Sequence, residues 1–283
     1  MKETPFLCER QTAIAAARRA GAYLKAHQHL AVIERIKSGP NDYATAQDLG
    51  AEKLILDTIR ERFPTDAILS EESHAQPSAG ERLWVIDPLD GTRNYANGLR
   101  HFAVSIAFCH RDRAVAGVVY VPCDSDELFW AERDQGAFLD DAPLQMAAPS
   151  ASLASSLVAT GFAYHLGAAL HPHVATLEKV MNAATDVLRF GSAATDICYV
   201  AAGRFGAYYE SGLKPWDVAA ASLIVQEAGG MVSDVSGAPL DLFARNQTTF
   251  CLNVLVAKSA GIHRQMADLI GRPSYPTSPL DNT

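Results

Sequence analysis

The sequence predicts a mixed α/β fold, of the α/β or α+β class, and three observations carry that expectation. Short apolar runs of strand character alternate with longer stretches whose apolar residues recur every three or four positions. Hydrophobic residues make up 48% and charged residues 20% of the 283, a balance that suits a buried core and argues against disorder or a coiled coil. No run approaches the roughly 18 consecutive apolar residues of a membrane span.

Taken in order, Glu9 to His27 reads as a helix, with Ala13, Ala16, Ala20, Tyr23 and Leu24 at helical spacing. SGPND at 38–42 is rich in turn residues. A second helix is expected from Ala46 to Phe63, with Leu49, Leu54, Ile55 and Ile59 on one face and Pro64 as its stop. Strands are expected at 67–70, 83–87, 102–109 and 114–121, and a hairpin containing a glycine at 127–139. Further on, 155–162 reads as a strand, 172–184 and 193–203 as helices, and 206–210 as a short strand. Residues 216–228 read as an amphipathic helix ending at Gly229-Gly230, followed by two short strands and a last helix at 260–270. A soft boundary is expected near 145–155, and the Pro- and Ser-rich end RPSYPTSPLDNT is expected to be loose.

Lys+Arg is 24 against 32 for Asp+Glu, a net charge of −8, which is a poor basis for nonspecific nucleic-acid binding and suits a small-molecule enzyme that gathers carboxylates around a cation. The strongest local signal is Asp87-Pro88-Leu89-Asp90-Gly91-Thr92, directly after the apolar run LWVI. A strand ending in Asp delivers a carboxylate to the sheet edge, where sites form. Gly91 allows close backbone approach, and a helix starting near Thr92 would offer N–H groups to an anion. Two carboxylates beside an anion cradle call for a hard cation such as Mg²⁺. The same run is good turn chemistry, and taken alone it is read as a turn. Glu71-Glu72 ends another apolar run and by itself reads as a solvated loop, while Asp217 by itself reads as a helix N-cap. Four acidic positions from three segments, each at the end of an apolar element, shift the balance toward a metal site.

With these residues in view, the sequence resembles the inositol monophosphatase family of Mg²⁺-dependent, lithium-sensitive phosphatases, over roughly residues 9–270. The resemblance rests on Lys37 followed by Asn41, Asp42, Thr45 and Asp48, then SEES (70–73), WVIDPLDGTRNY (84–95), GSAATD (191–196), YYESGLKPWDVAA (208–220) and EAGG (227–230). It implies a layered αβαβα sandwich and a homodimer. It implies an N-terminal α+β half (1–148) with most metal ligands, a C-terminal α/β half (149–271) completing the site, and a loose tail (272–283). It implies that Glu71, Asp87 and the carbonyl of Leu89 hold a first Mg²⁺, that Asp87, Asp90 and Asp217 hold a second, and that a weaker third ion sits near Glu71. Gly91 and Thr92 would offer N–H groups to phosphate, and Asp48 with Thr92 would orient the attacking water, Glu71 also counting among the catalytic residues. Glu210 would touch substrate hydroxyls, with Gly191, Ser192 and Ala193 lining the same pocket and Asp217 bordering it.

The expected activity is hydrolysis of a small polyol phosphate monoester, inositol 1-phosphate foremost, by direct attack of metal-activated water. Relatives of this fold act on histidinol phosphate, fructose 1,6-bisphosphate or phosphoadenosine bisphosphate, and some bacterial relatives bind the transcription machinery. Asn94 followed by Tyr95 looks like the inositol monophosphatase branch, while Arg93 departs from it. A carboxylate at Glu210 would repel a second phosphate, which favours a monophosphate. A metal-dependent nuclease is disfavoured by the negative charge and the lack of an aromatic–basic groove signature. Five cysteines without a CxxC point to a reducing compartment, and no signal peptide is read in MKETPFLCERQ, so the expected location is cytoplasmic. Several residues are set aside: His171 and His173 as a loop or helix start, Arg18-Arg19 as a solvated face, Cys198 and Trp216 as core, and Glu72 as a residue that orients its neighbours rather than binding metal.

Overall fold

The computed structural model describes residues 4–39, 42–73, 81–123, 126–146, 152–163, 167, 170–246 and 249–271. The first half runs α1 (Leu7–His27), a hairpin of β1 (Ile33–Gly39) and β2 (Asp42–Thr45), α2 (Ala46–Arg62), β3 (Ala67–Ser70), β4 (Arg82–Asp90), the short α3 (Thr92–Ala96), β5 (Ala103–His110), β6 (Arg113–Val121), β7 (Glu127–Glu132), β8 (Gly136–Leu139) and β9 (Ala142–Leu144). The second half runs β10 (Leu157–Thr160), α4 (Leu170–Ala183), β11 (Asp186–Leu188), α5 (Ala193–Ala201), β12 (Ala207–Leu213), α6 (Pro215–Glu227), β13 (Met231–Asp234), the short pair β14 (Arg245–Asn246) and β15 (Thr249–Phe250), β16 (Leu252–Ala257) and α7 (Ala260–Ile270). The tail at 272–283 and part of the expected boundary near 145–155 lie outside the described residues.

Among the described residues, strands β3 to β9 form a seven-stranded sheet in chain order, antiparallel except for the parallel pair β3–β4. A five-stranded sheet has the order β11-β10-β12-β16-β13, parallel across β11, β10 and β12 and antiparallel across β12, β16 and β13. Helices α1 and α2 cover one face of the large sheet, α5 and α6 fill the space between the sheets, and α4 and α7 cover the far face of the small one. The result is an αβαβα sandwich. No helix among the described residues is long and apolar enough to cross a membrane.

Small side chains set the spacing of the layers. Ala13, Ala16, Ala17, Ala20 and Leu24 of α1 are fully buried on the large sheet. Gly117 of β6 lies so close to α6 that a Cβ there would stand 2.8 Å from the Ala220 carbonyl oxygen. Helix α6 is not amphipathic as expected: Trp216 and residues 218–225 are all buried, because a helix between two sheets has no solvent face. The buried face of α2 also differs from expectation. Ile55 and Ile59 are buried, but Leu49 is 37% exposed, and Gln47, Asp48, Ala51 and Glu52 take the inner positions. Polar residues can be buried there because each has a partner: Gln47 donates to the Leu30 carbonyl, Asp48 accepts from Thr45 and Thr92, and Glu52 accepts from Ser73. Of the expected turn residues at 38–42, Ser38 and Gly39 end β1 and Asp42 opens β2; the hairpin escaped detection because residues 33–36 are exposed and show no alternation.

Candidate active site

The cleft opens where β4 runs out. Asp87 pairs with Ser105 and Asp90 with Ala103, so Pro88 and Leu89 together oppose one residue of β5. Residues three apart on a regular strand face opposite sides; the extra residue reverses that, and Asp87 and Asp90 come to the same side. The Leu89 N–H donates to Asp87 Oδ1 at 3.0 Å and fixes the bend. Gly91 then takes φ +93°, the left-handed region, as the residue preceding α3, and a Cβ on it would stand 3.0 Å from the His101 carbonyl oxygen.

The third carboxylate arrives from the helical layer between the sheets. Pro215 starts α6, and Asp217, in its first turn, accepts the Lys214 N–H at 2.7 Å. The N-cap is Lys214 rather than Asp217: Asp217 is the third helical residue and reaches back to the N-cap N–H with one oxygen only. Oxygen atoms of Asp87, Asp90 and Asp217 all lie within 4.8 Å of one another. Asp90 Oδ2 accepts the Ser192 hydroxyl at 2.6 Å and the Ala194 N–H at 2.8 Å. Burial first, and then neighbouring carboxylates including Glu71, push Asp87 and Asp217 well above the usual carboxylate range. Burial likewise raises Asp90 to about 6 against the pull of Ser192 and Ala194. Three acids in so small a volume cannot all ionise without positive charge among them. An all-oxygen donor set of this kind suits a hard divalent cation, Mg²⁺ above all.

Glu71 follows β3 and lines the same cleft, but Lys37 of β1 binds its Oε1 at 2.6 Å. Lys37 also binds Glu72 Oε1 at 2.6 Å, and Arg35 binds Glu72 Oε2 at 2.6 Å, so Glu72 anchors the hairpin. Burial lowers the Lys37 affinity for its proton, but Glu71 and Glu72 overcome that and hold it raised and charged. Burial and the nearby Glu71 raise Glu72, opposed by Lys37 and Arg35.

Asp48 sits in the first turn of α2, where Thr45 caps the helix. One of its oxygens accepts the Thr45 N–H at 2.7 Å and the other the Thr92 hydroxyl at 2.9 Å. The Thr92 Oγ1 also lies 3.0 Å from the Leu89 carbonyl oxygen, so one hydroxyl hydrogen serves two acceptors. Burial raises Asp48 to about 7.

The other wall comes from the small sheet. Glu210 of β12 is half-buried, accepts the Tyr208 hydroxyl, and is raised by desolvation to about 7. A Cβ on Gly161 would stand 1.9 Å from Glu210 Oε2, so any larger residue there would displace that carboxylate. Gly191 and Ala193 line the cleft; Ser192 is fully buried behind Asp90 and serves that carboxylate rather than the cavity. The Asn94 amide donates to the carbonyls of His101 and Phe190, each at 2.8 Å, and ties α3 to this wall. Sequence patterns did not single out Arg35, Phe162, Arg189 or Lys214, all of which line the cleft. Isolated arginines and a lone aromatic carry no spacing signal. Trp216 packs against Phe250 as core but also borders the cavity. His171 and His173 fall in the first turn of α4, where His173 stands edge-on to Phe162. Asn41 lies outside the described residues. The whole cleft encloses about 860 Å³.

Comparison with known proteins places this geometry among relatives. Residues 8–267 match the model of the inositol monophosphatase family. The chain is 39% identical over 262 residues to the Nus factor SuhB of Escherichia coli K12, covering 92% of this chain and 97% of that protein. The crystal structure of extragenic suppressor protein suhB from Bartonella henselae superposes with a TM-score of 0.82 at 34% identity, covering 93% of this chain and 98% of the other. An IMPase from Thermotoga maritima superposes with a TM-score of 0.81 at 31% identity, covering 93% and 97%.

Proposed function

The chain belongs to the inositol monophosphatase family, and from that premise we propose that it hydrolyses a small polyol phosphate monoester, inositol 1-phosphate first, with two to three Mg²⁺ ions as cofactor. The observation that carries this reading is the meeting of Asp87 and Asp90 at the end of β4, both buried, with the half-buried Asp217 of α6, three mutually repelling carboxylates. Asp87, Asp90 and Asp217 would hold the ions, with Glu71 and the Leu89 carbonyl completing the set. When bound, the ions supply Lewis acidity toward water and charge neutralisation on the phosphoryl and leaving oxygens.

The protein's own groups do the rest. Thr92 donates its hydrogen to Asp48 and keeps lone pairs toward the cleft that accept from a water molecule. Asp48, raised to about 7, holds and releases a proton near neutral pH, as a base paired with Thr92 must. Gly91 has no side chain to obstruct a phosphate, and the N–H groups of Gly91 and Thr92 at the start of α3 would donate to it. Glu210 accepts hydrogen bonds from the hydroxyls of the leaving alcohol. Attack is in line and direct; a phosphorylated side chain trapped from a quenched reaction would contradict it.

Phosphate release from inositol 1-phosphate, histidinol phosphate, fructose 1,6-bisphosphate and a nucleotide bisphosphate, each with Mg²⁺, with Mg²⁺ plus lithium and with EDTA, tests the proposal. The expected result is Mg²⁺-dependent, lithium-inhibited release, fastest from the inositol ester; no release from any ester overturns it. The name of the E. coli relative, a Nus factor, favours a second role in binding the transcription machinery. Capture of RNA polymerase from cell extract on the immobilised chain supports that role, and its absence under conditions that retain activity opposes it.

A further inference from the structure

Three strands of the small sheet end side by side at the cleft. β11, β10 and β12 are parallel neighbours, with Ala159 beside Leu188 and Thr160 beside Tyr209. The residues that follow therefore emerge together at the carboxyl edge of the sheet: Arg189 after β11, Gly161 and Phe162 after β10, and Glu210 within β12. Ligands of α/β proteins bind at such an edge. All four residues line the cleft.

The cations around this cavity differ in what they hold. Lys37 and Arg35 are engaged by Glu71 and Glu72, and the Lys214 Nζ donates to the Phe250 carbonyl at 2.6 Å. Among the described residues, no hydrogen bond or ion pair reaches the Arg189 guanidinium; its carbon lies 5.8 Å from the centre of the Phe162 ring. Phe162 is in turn braced by His173, edge-on at 4.9 Å between centroids. A carboxylate, a guanidinium fork with open donors and an aromatic surface thus stand together on one wall.

We propose that Arg189 and Phe162 are specificity-determining residues that, with Glu210, select a cyclic polyol phosphate over an acyclic one. The chemistry of a ring bearing adjacent hydroxyls fits the three groups. Glu210 accepts from one hydroxyl, Arg189 donates to the oxygen of its neighbour, and Phe162 packs against the C–H surface of the ring. An acyclic ester such as glycerol 2-phosphate offers neither a fixed pair of neighbouring hydroxyls nor a flat apolar surface. A second phosphate on the substrate is disfavoured, because Glu210 stands beside the same donors. This selectivity rests on the phosphatase reading of the site.

The experiment compares kcat/KM for myo-inositol 1-phosphate and for glycerol 2-phosphate, at saturating Mg²⁺, in the wild type, Arg189→Gln, Phe162→Ala and the conservative Phe162→Tyr. Loss of a charged hydrogen-bond donor is worth about 10- to 100-fold. The expected result is that the cyclic-to-acyclic ratio falls by about that factor in Arg189→Gln, falls in Phe162→Ala, and is restored in Phe162→Tyr. A merely structural role lowers both substrates together and leaves the ratio where it was; that outcome, or no change at all, overturns the inference while the phosphatase reading stands. A wild type that releases phosphate from neither ester overturns the phosphatase reading and the inference with it.

Discussion

The two ends of the cleft are built on different principles. At the acid end each carboxylate is tied through one oxygen to the protein's own donors: Asp87 to the Leu89 N–H, Asp90 to Ser192 and the Ala194 N–H, Asp217 to the Lys214 N–H. These groups are fixed before any ligand arrives, which is what charge stabilisation in a reaction needs. At the small-sheet end Glu210 is held by a single hydroxyl and Arg189 by no polar group among the described residues. Donors and acceptors there remain open for a substrate. On the proposed reading, chemistry and recognition fall to opposite ends of one cleft.

Breaking the acid end gives the largest effect. Asp90→Asn is expected to lower kcat by about 10³-fold, the scale of several kcal/mol of lost charge stabilisation. The same variant is expected to melt higher than the wild type in EDTA, since it removes one of three repelling carboxylates. Steady-state kinetics and thermal melts check both halves, and near-normal turnover would remove Asp90 from the proposed ligand set.

Gly161→Ala comes next. The added Cβ and the Glu210 carboxylate cannot occupy the positions they now hold, 1.9 Å apart. A roughly 10²-fold fall in kcat/KM for inositol 1-phosphate is expected, of the order produced when a positioning contact shifts by about 1 Å. Unaltered kinetics would show that Glu210 is not required where it stands.

Ser192→Ala removes one of two donors to Asp90 from behind. Supporting contacts of this kind are worth about 10- to 100-fold in metal affinity. A Mg²⁺ titration of activity should show a raised requirement for the ion with a smaller change in the saturated rate.

The smallest effect is a dependence on pH. Asp48 and Glu210 at about 7 and Asp90 at about 6 all lie above the ordinary carboxylate values of 3.8 to 4.5. The folded chain therefore binds more protons than the unfolded chain between those limits, and stability rises as pH falls. In EDTA the melting temperature is expected to climb from pH 8 to pH 5.5. The stabilisation added by Mg²⁺ is expected to shrink over the same range, because protons compete for the same oxygens. Calorimetry that shows no such opposition would argue against a shared site.

Much of this molecule was legible from one dimension. Helices 7–27 and 260–270 and strands 67–70 and 113–121 fall where apolar spacing places them. Asp87-Pro88-Leu89-Asp90-Gly91-Thr92 announced a strand end and a turn. The β1–β2 hairpin was not legible, because β1 shows no alternation and is held by Arg35 and Lys37 reaching Glu71 and Glu72, a contact that has no local pattern. The all-buried α6 looked amphipathic for a related reason: a few polar positions in a helix cannot reveal a second sheet behind it.

The sequence by itself determined the local alphabet of this protein: most of its helices and buried strands, which glycines permit sharp bends, and which acids stand at the ends of apolar runs. Those properties follow from backbone sterics and short-range periodicity. Only the tertiary structure decided that Asp217 crosses to meet Asp87 and Asp90, that Ser192 faces Asp90 instead of the cavity, and that Arg189, Phe162 and Glu210 share one sheet edge. Such meetings depend on strand order and layer packing, in which residues far apart along the chain are brought together by burying apolar faces that are not specific to any one partner.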